Sequence, residues 1–132
     1  MSAEQQWAVI RALEDRRKIV AEDVVNRIKT HISTRPAVLF MKGTPDFPQC
    51  GFSAQTVAAL RASGAEFHSV NIFEDPELRE ALKKFSNWPT YPQLYVGGEL
   101  VGGSDIITEM HQNGELQAVL QEAGVVEASE LR

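Results

Sequence analysis

Cys50 is the one cysteine among 132 residues, and it stands in the string Pro48-Gln49-Cys50-Gly51-Phe52-Ser53. The apolar stretch Ala37-Val38-Leu39-Phe40-Met41 precedes it and ends at Lys42, and a loop with Pro45 and Pro48 follows. A helical pattern begins after the cysteine. A thiol placed where a strand and loop hand over to a helix faces unpaired backbone N–H groups and the positive end of the helix dipole. Both favour the thiolate, and Lys42 adds positive charge nearby. The thiolate is the reactive species in nucleophilic attack and in metal ligation, so the arrangement suits either. A lone cysteine read without context is a small buried hydrophobe. Flanking by Pro, Gln, Gly and Ser at a helix start argues for chemistry instead.

One cysteine excludes a disulfide within the chain, and a reducing compartment is expected, most simply the cytoplasm. The N-terminal residues do not read as an export signal, because Glu4, Glu14 and Asp15 interrupt them. The same acids argue against a mitochondrial transit peptide and make the matrix the lesser alternative, kept open by Arg11, Arg16, Arg17 and Lys18. Hydrophobic residues are 43% and charged residues 23%, ordinary for one globular domain with a real core. No apolar run is long enough to span a bilayer, so no membrane role is expected. A net charge of −5 gives no support for nucleic-acid binding. His31, His68 and His111 show no metal-ligand spacing and read as structural or surface residues.

The elements that must position Cys50 follow from periodicity. Residues 2–34 read as helix, opened by Ser2 and Gln5 at capping-box spacing. Trp7, Ile10 and Leu13 share a face, Arg16-Arg17-Lys18 breaks the pattern, and Val20, Val24, Ile28 and Ile32 resume it. Residues 1–20 therefore read as a helical extension, 21–124 as the domain and 125–132 as a frayed tail. Ala37 to Met41 reads as a buried strand. Ala54 to Ala62 reads as a helix ending at Ser63-Gly64. Phe67, Val70 and Ile72 form the next strand, and Asp75-Pro76 starts a helix to about Phe85. Leu94-Tyr95-Val96, Gly97-Gly98 and Glu99-Leu100-Val101 read as a β-hairpin. Two helices follow, one with Ile106, Ile107 and Met110, the other with Leu116, Val119 and Leu120. A helix between the first two strands implies a parallel pair.

Four strings stand in order along the chain: Met41-Lys42-Gly43-Thr44-Pro45, Pro48 to Ser53, Trp88-Pro89-Thr90-Tyr91-Pro92-Gln93 and Gly102-Gly103-Ser104-Asp105-Ile106. Together they resemble the monothiol glutaredoxins of the Cys-Gly-Phe-Ser class, over residues 21–122. The resemblance implies an α/β thioredoxin fold, a four-stranded mixed sheet flanked by helices. It implies glutathione binding and the carriage of a [2Fe–2S] cluster, with Cys50 as the reactive thiol and the cluster ligand. It also implies a cis Tyr91–Pro92 bond whose flanking backbone meets a peptide-like ligand.

The same resemblance assigns the glutathione contacts. The backbone of Gly103, Ser104 and Asp105 takes the γ-glutamyl carboxylate. Lys42 and Arg79 take the glycine carboxylate, with Lys83 the weaker candidate. Phe52, Thr90, Tyr91 and Pro92 complete the site. A glycine pair before a helix also makes a plain turn and cap, and sequence does not separate that from an anion site. Arg79 and Lys83 read equally as a solvated helix face. Trp88 reads as packing beneath the loop before Pro89 rather than as a ligand platform.

Two positions depart from many relatives. Ser104 stands where they carry a second cysteine, and Ser53 replaces the second thiol of a dithiol pair. Cys50 can then pair only with glutathione or another chain. The expected function is a cluster carrier with weak glutathione-dependent oxidoreductase activity, bridged as a homodimer when loaded and meeting BolA-like and iron–sulfur recipient proteins. The alternative is an enzyme that removes glutathione from proteins.

Overall fold

Val38 and Phe40 point to one side of their strand and Leu39 and Met41 to the other, and all four are fully buried. Side chains alternate along a strand, so an apolar run of this kind demands cover on both faces. A computed structural model of the chain, describing residues 2–126, supplies that cover. The helices are α1 (Ala3–Thr34), α2 (Gly51–Ala62), α3 (Pro76–Ser86), α4 (Ser104–Asn113) and α5 (Glu115–Glu122). The strands are β1 (Ala37–Met41), β2 (His68–Asn71), β3 (Gln93–Val96) and β4 (Glu99–Gly102). They form one sheet in the order β2-β1-β3-β4, with β1 and β2 parallel and the other pairs antiparallel. This is the mixed four-stranded sheet of the thioredoxin fold.

Two cores result. Val24, Ile28 and Ile32 of α1 and Leu78 and Leu82 of α3 pack with Val38, Phe40 and Tyr95 on one face. Val57 and Leu60 of α2, Ile107 of α4 and Leu116 and Leu120 of α5 pack with Leu39, Met41 and Leu94 on the other. The Phe40 and Tyr95 rings meet edge to face at 5.6 Å. Arg27 ties α1 to the start of α3 within that first layer, donating to Asp75 at 3.2 Å, while Asp75 caps α3 by accepting from the Leu78 N–H.

Several boundaries differ from the sequence expectation. α1 runs unbroken through Arg16-Arg17-Lys18. Those side chains interrupt the apolar stripe without disfavouring helix, since Arg and Lys are good helix formers. α2 starts at Gly51, not Ala54. Ile72 leaves the strand for a short 3-10 turn, Ile72–Glu74, because the Asn71 side chain accepts from the Phe73 N–H at 3.0 Å and bends the chain. The expected frayed tail holds in neither residue that is described: Val125 packs against the second core and Val126 is buried within it. The rest of that tail, 127–132, lies outside the described residues. His31 and His68 come together, Nδ1 to Nε2 at 3.1 Å, joining α1 to β2 as a half-buried pair. Burial, followed by the neighbouring His68, holds the His31 pKa below its ordinary value. Among the described residues no helix is long and apolar enough to cross a membrane.

Candidate functional site

Cys50 is the N-cap of α2, in extended conformation and half-exposed. Its thiol pKa lies below the ordinary cysteine value. The Ser53 backbone N–H is the chief cause; partial burial opposes it, and the Phe52 N–H and the Lys42 charge add to the lowering. The helix start is therefore the larger influence and the lysine the smaller.

Ser53 is fully buried, and its hydroxyl accepts from the Lys42 N–H at 3.1 Å. That bond ties the end of β1 to the first turn of α2 across the cysteine. The intervening loop is closed by its own backbone. Gln49 N–H donates to the Lys42 carbonyl at 2.9 Å, and Thr44 and Phe47 exchange backbone bonds. Gly43 N–H donates to the Asn71 side chain at 3.1 Å, and Arg61 holds Asp46 at 2.9 Å. Phe47, before the thiol in the chain, and Phe52, after it, are 79% and 59% exposed.

Next to the thiol lies a cleft of about 430 Å³. Nine of the eleven sequence candidates line it: Lys42, Phe52, Arg79, Lys83, Thr90, Tyr91, Gly103, Ser104 and Asp105. Cys50 and Pro92 do not. Cys50 sits beside it between lining residues, and Pro92 sits behind Gly103, its carbonyl 3.2 Å from where a Cβ on that glycine would stand. Three bases and one acid, Asp105, face the cleft, a balance that favours an anionic ligand.

Each wall has a local cause. The Tyr91–Pro92 bond is cis. Buried Gln93 holds the preceding loop by donating to the Trp88 and Thr90 carbonyls at 3.1 and 3.2 Å. The Tyr91 hydroxyl donates to the Arg79 carbonyl at 2.7 Å, and burial pushes its pKa up. Gly103 caps α4 without a side chain, so the backbone N–H groups of the first turn lack intrahelical partners. The Ser104 hydroxyl is turned away, donating to Gln55 at 3.1 Å. Arg79 lies 5.4 Å over the Phe73 ring, whereas Lys83 is paired with Glu80 at 3.0 Å.

The sequence reading missed Trp88, Pro89 and Ile106 as lining residues. Trp88 is the correction of substance. It packs beside its loop, as expected, but it is also cleft wall, with a buried Nε1 that has no hydrogen-bond partner among the described residues. The reason is Gly103: a Cβ there would stand 3.2 Å from that nitrogen, so the bare glycine lets the ring close in. Glycine beside the loop was a signal available in the sequence; its pairing with Trp88 was not.

The thiol geometry sets a pH expectation. Alkylation of Cys50 rises with pH through a midpoint below that of free cysteine, because the folded chain favours the thiolate. Lys42→Ala moves the midpoint up without abolishing the lowering, since the backbone N–H groups remain. Iodoacetamide rates across pH measure both; a midpoint at the free-cysteine value contradicts the assignment.

Comparison with known proteins agrees with this geometry. Residues 37–101 match the glutaredoxin family model. Glutaredoxin 4 of Escherichia coli (strain K12) is 50% identical over 106 residues, covering 80% of this chain and 92% of that one. Monothiol glutaredoxin-S11 of Oryza sativa subsp. japonica is 51% identical over 106 residues, 80% of this chain and 22% of that one, so the chain spans about a fifth of that longer relative. The solution structure of reduced poplar apo GrxS14 superposes with a TM-score of 0.68 at 48% identity, covering 76% of this chain and 93% of that one. A lone Cys50 at the α2 start, a cleft beside a cis Tyr91–Pro92 bond and these likenesses lead to one conclusion: the chain belongs to the glutaredoxin family, among its monothiol members of the Cys-Gly-Phe-Ser class.

Proposed function

We propose that the chain binds glutathione in the cleft and carries a [2Fe–2S] cluster on Cys50, delivering it to recipient proteins. The observation that carries this is one accessible, thiolate-prone sulfur beside a cationic cleft that ends on a helix N-terminus. Glutathione has a carboxylate at each end and a peptide between. The Ser104 and Asp105 N–H groups suit one carboxylate, and Lys42 and Arg79 suit the other. Lys83 contributes less because Glu80 already holds it. Phe52, Thr90 and Tyr91 give the walls against which the tripeptide lies.

The cluster is cargo. It takes about four ligands, and the chain has one cysteine. Two chains and two glutathiones complete the set, so the loaded form is a homodimer bridged at Cys50. Ligands held half by a dissociable tripeptide suit delivery to BolA-like and iron–sulfur recipient partners. A reducing cytoplasm keeps such a thiol free.

The lowered thiol pKa also favours a second reading, glutathione-dependent reduction. Cys50 attacks the glutathione sulfur of a protein mixed disulfide, releasing the protein thiolate. A second glutathione then regenerates Cys50 and leaves as oxidised glutathione. Without a second thiol in the chain, that regeneration depends on free glutathione and turnover is weak.

Sedimentation of the loaded protein, with iron, sulfide and glutathione assayed on the same sample, tests the carrier reading. The expected result is one cluster and about two glutathiones for every two chains joined at Cys50. A cluster-loaded monomer, or a cluster that survives removal of glutathione, overturns it.

A further inference from the structure

The first half of α1 lies outside the fold just described. Its first buried residue is Val24, and everything from Ala3 to Ala21 is exposed. Exposed along it are Trp7 (62%), Ile10 and Leu13, on the same helical stripe that Val24 and Ile28 bury lower down. Helices in proteins draw most of their stability from packing an apolar face, and this stretch packs its face against none of the described residues. Beside its lower half lies a second unfilled feature, an apolar groove of about 730 Å³ between α1 and α3. Val20, Val24, Ala81 and Phe85 line it, with Arg17 and Lys84 among its charged lining. Trp7 cannot fill its own groove, because it sits 13 residues before Val20 on the same helix, about 20 Å away.

We propose that a second copy of this chain fills the groove, through antiparallel pairing of the α1 helices about a two-fold axis. Each copy holds what the other lacks, a stripe and a groove that none of the described residues covers, and a two-fold axis satisfies both at once. Charge fixes the direction. Two charged residues, Glu14 and Arg17, interrupt the stripe. Parallel pairing sets like against like. Antiparallel pairing sets each Glu14 against the other copy's Arg17. That same register places Trp7 opposite Val24 and Ile10 opposite Ala21, so the ring enters the groove, whose α3 wall offers the Lys84 ammonium. The seam from Trp7 to Val24 is about 27 Å long, and the groove wall on α3 widens it toward the ~1,200 Å² of a stable interface. Glu80, Ala81 and Lys84 serve this groove while Arg79 and Lys83 line the cleft. Pairing therefore leaves Cys50 free, so a cluster bridge at Cys50 is a second, separate junction that joins α1 pairs into larger assemblies, and the pairing does not depend on the cluster-carrier reading.

Sedimentation of the full chain carrying Cys50→Ser, without iron or glutathione, tests this. That background removes every thiol or cluster bridge. A dimer is expected, with Trp7 emission shifting to the red on dilution. Trp7→Ala raises the dimer dissociation constant about thirtyfold or more, as loss of a buried aromatic anchor does. Phe85→Glu, on the groove side, weakens it likewise. Glu14→Arg weakens pairing, and Glu14→Arg with Arg17→Glu restores it. A monomer at all concentrations overturns the proposal and leaves the stripe to a different protein. A dimer indifferent to Trp7→Ala, or one that the double swap fails to restore, overturns the antiparallel pairing.

Discussion

Cys50→Ser is expected to leave a folded protein that takes up no cluster. Anaerobic reconstitution with iron, sulfide and glutathione should give the wild-type chain visible absorption and the variant none. The loss is all or nothing because the sequence holds no other thiol, and a serine hydroxyl stays protonated where a thiol of lowered pKa ionises. The fold should not suffer. Position 50 is an N-cap, and serine is among the preferred N-cap residues, accepting from the backbone N–H two or three positions on. The variant should match or exceed wild-type stability by up to about 1 kcal/mol. Glutathione should still bind, since the charged and backbone groups of the cleft are untouched. Retained absorption with one iron–sulfur cluster per dimer would place the ligand elsewhere.

Gly43→Ala is the substitution expected to cost most stability for one added carbon. Gly43 has φ +90, and a Cβ there would stand 2.6 Å from the Phe47 carbonyl oxygen and 2.7 Å from the Gln49 backbone nitrogen. Both are backbone atoms, so no side chain can swing away. A left-handed conformation costs a non-glycine residue about 1–2 kcal/mol, and displacing the loop adds to that, for a total of about 3 kcal/mol or more. Gly97→Ala is the matched control, with φ +61 and nothing within 4 Å of its Cβ; it should cost only the conformational share. Urea denaturation of the two variants reads the difference directly. Equal losses would mean that the loop yields freely. The displaced loop is the one that delivers Gln49 to Cys50, so Gly43→Ala should also slow alkylation at neutral pH while Gly97→Ala does not.

Much of this protein is legible locally. Cys50 at a helix start, the glycine hairpin at Gly97-Gly98, the proline-opened α3 and the buried β1 each depend on residues within a few positions of one another. Periodicity and turn chemistry therefore report them directly. The glutathione-site candidates are legible for a different reason. They sit in strings whose resemblance covers most of the chain, and nine of them do line one cleft.

What sequence does not carry is which distant residues meet. Ser53 reads as a missing second cysteine. Only the docking of α2 against β1 makes it the buried acceptor for Lys42. Trp88 becomes cleft wall because Gly103, 15 positions away, is brought under its ring without a Cβ. Asn71 bends Ile72 out of the strand and at the same time holds Gly43, 28 positions away. His31 and His68 read as scattered and are hydrogen-bonded neighbours. Arg16 to Lys18 reads as a break, and the helix continues through it because intrahelical bonds do not depend on which face is apolar. The spacing of apolar and turn residues determined the elements and the reactive thiol, since those follow from backbone geometry within a few residues. The tertiary structure alone decided the partners of Ser53, Trp88, Asn71 and His31, because burial and contact arise only when the sheet brings separate elements together.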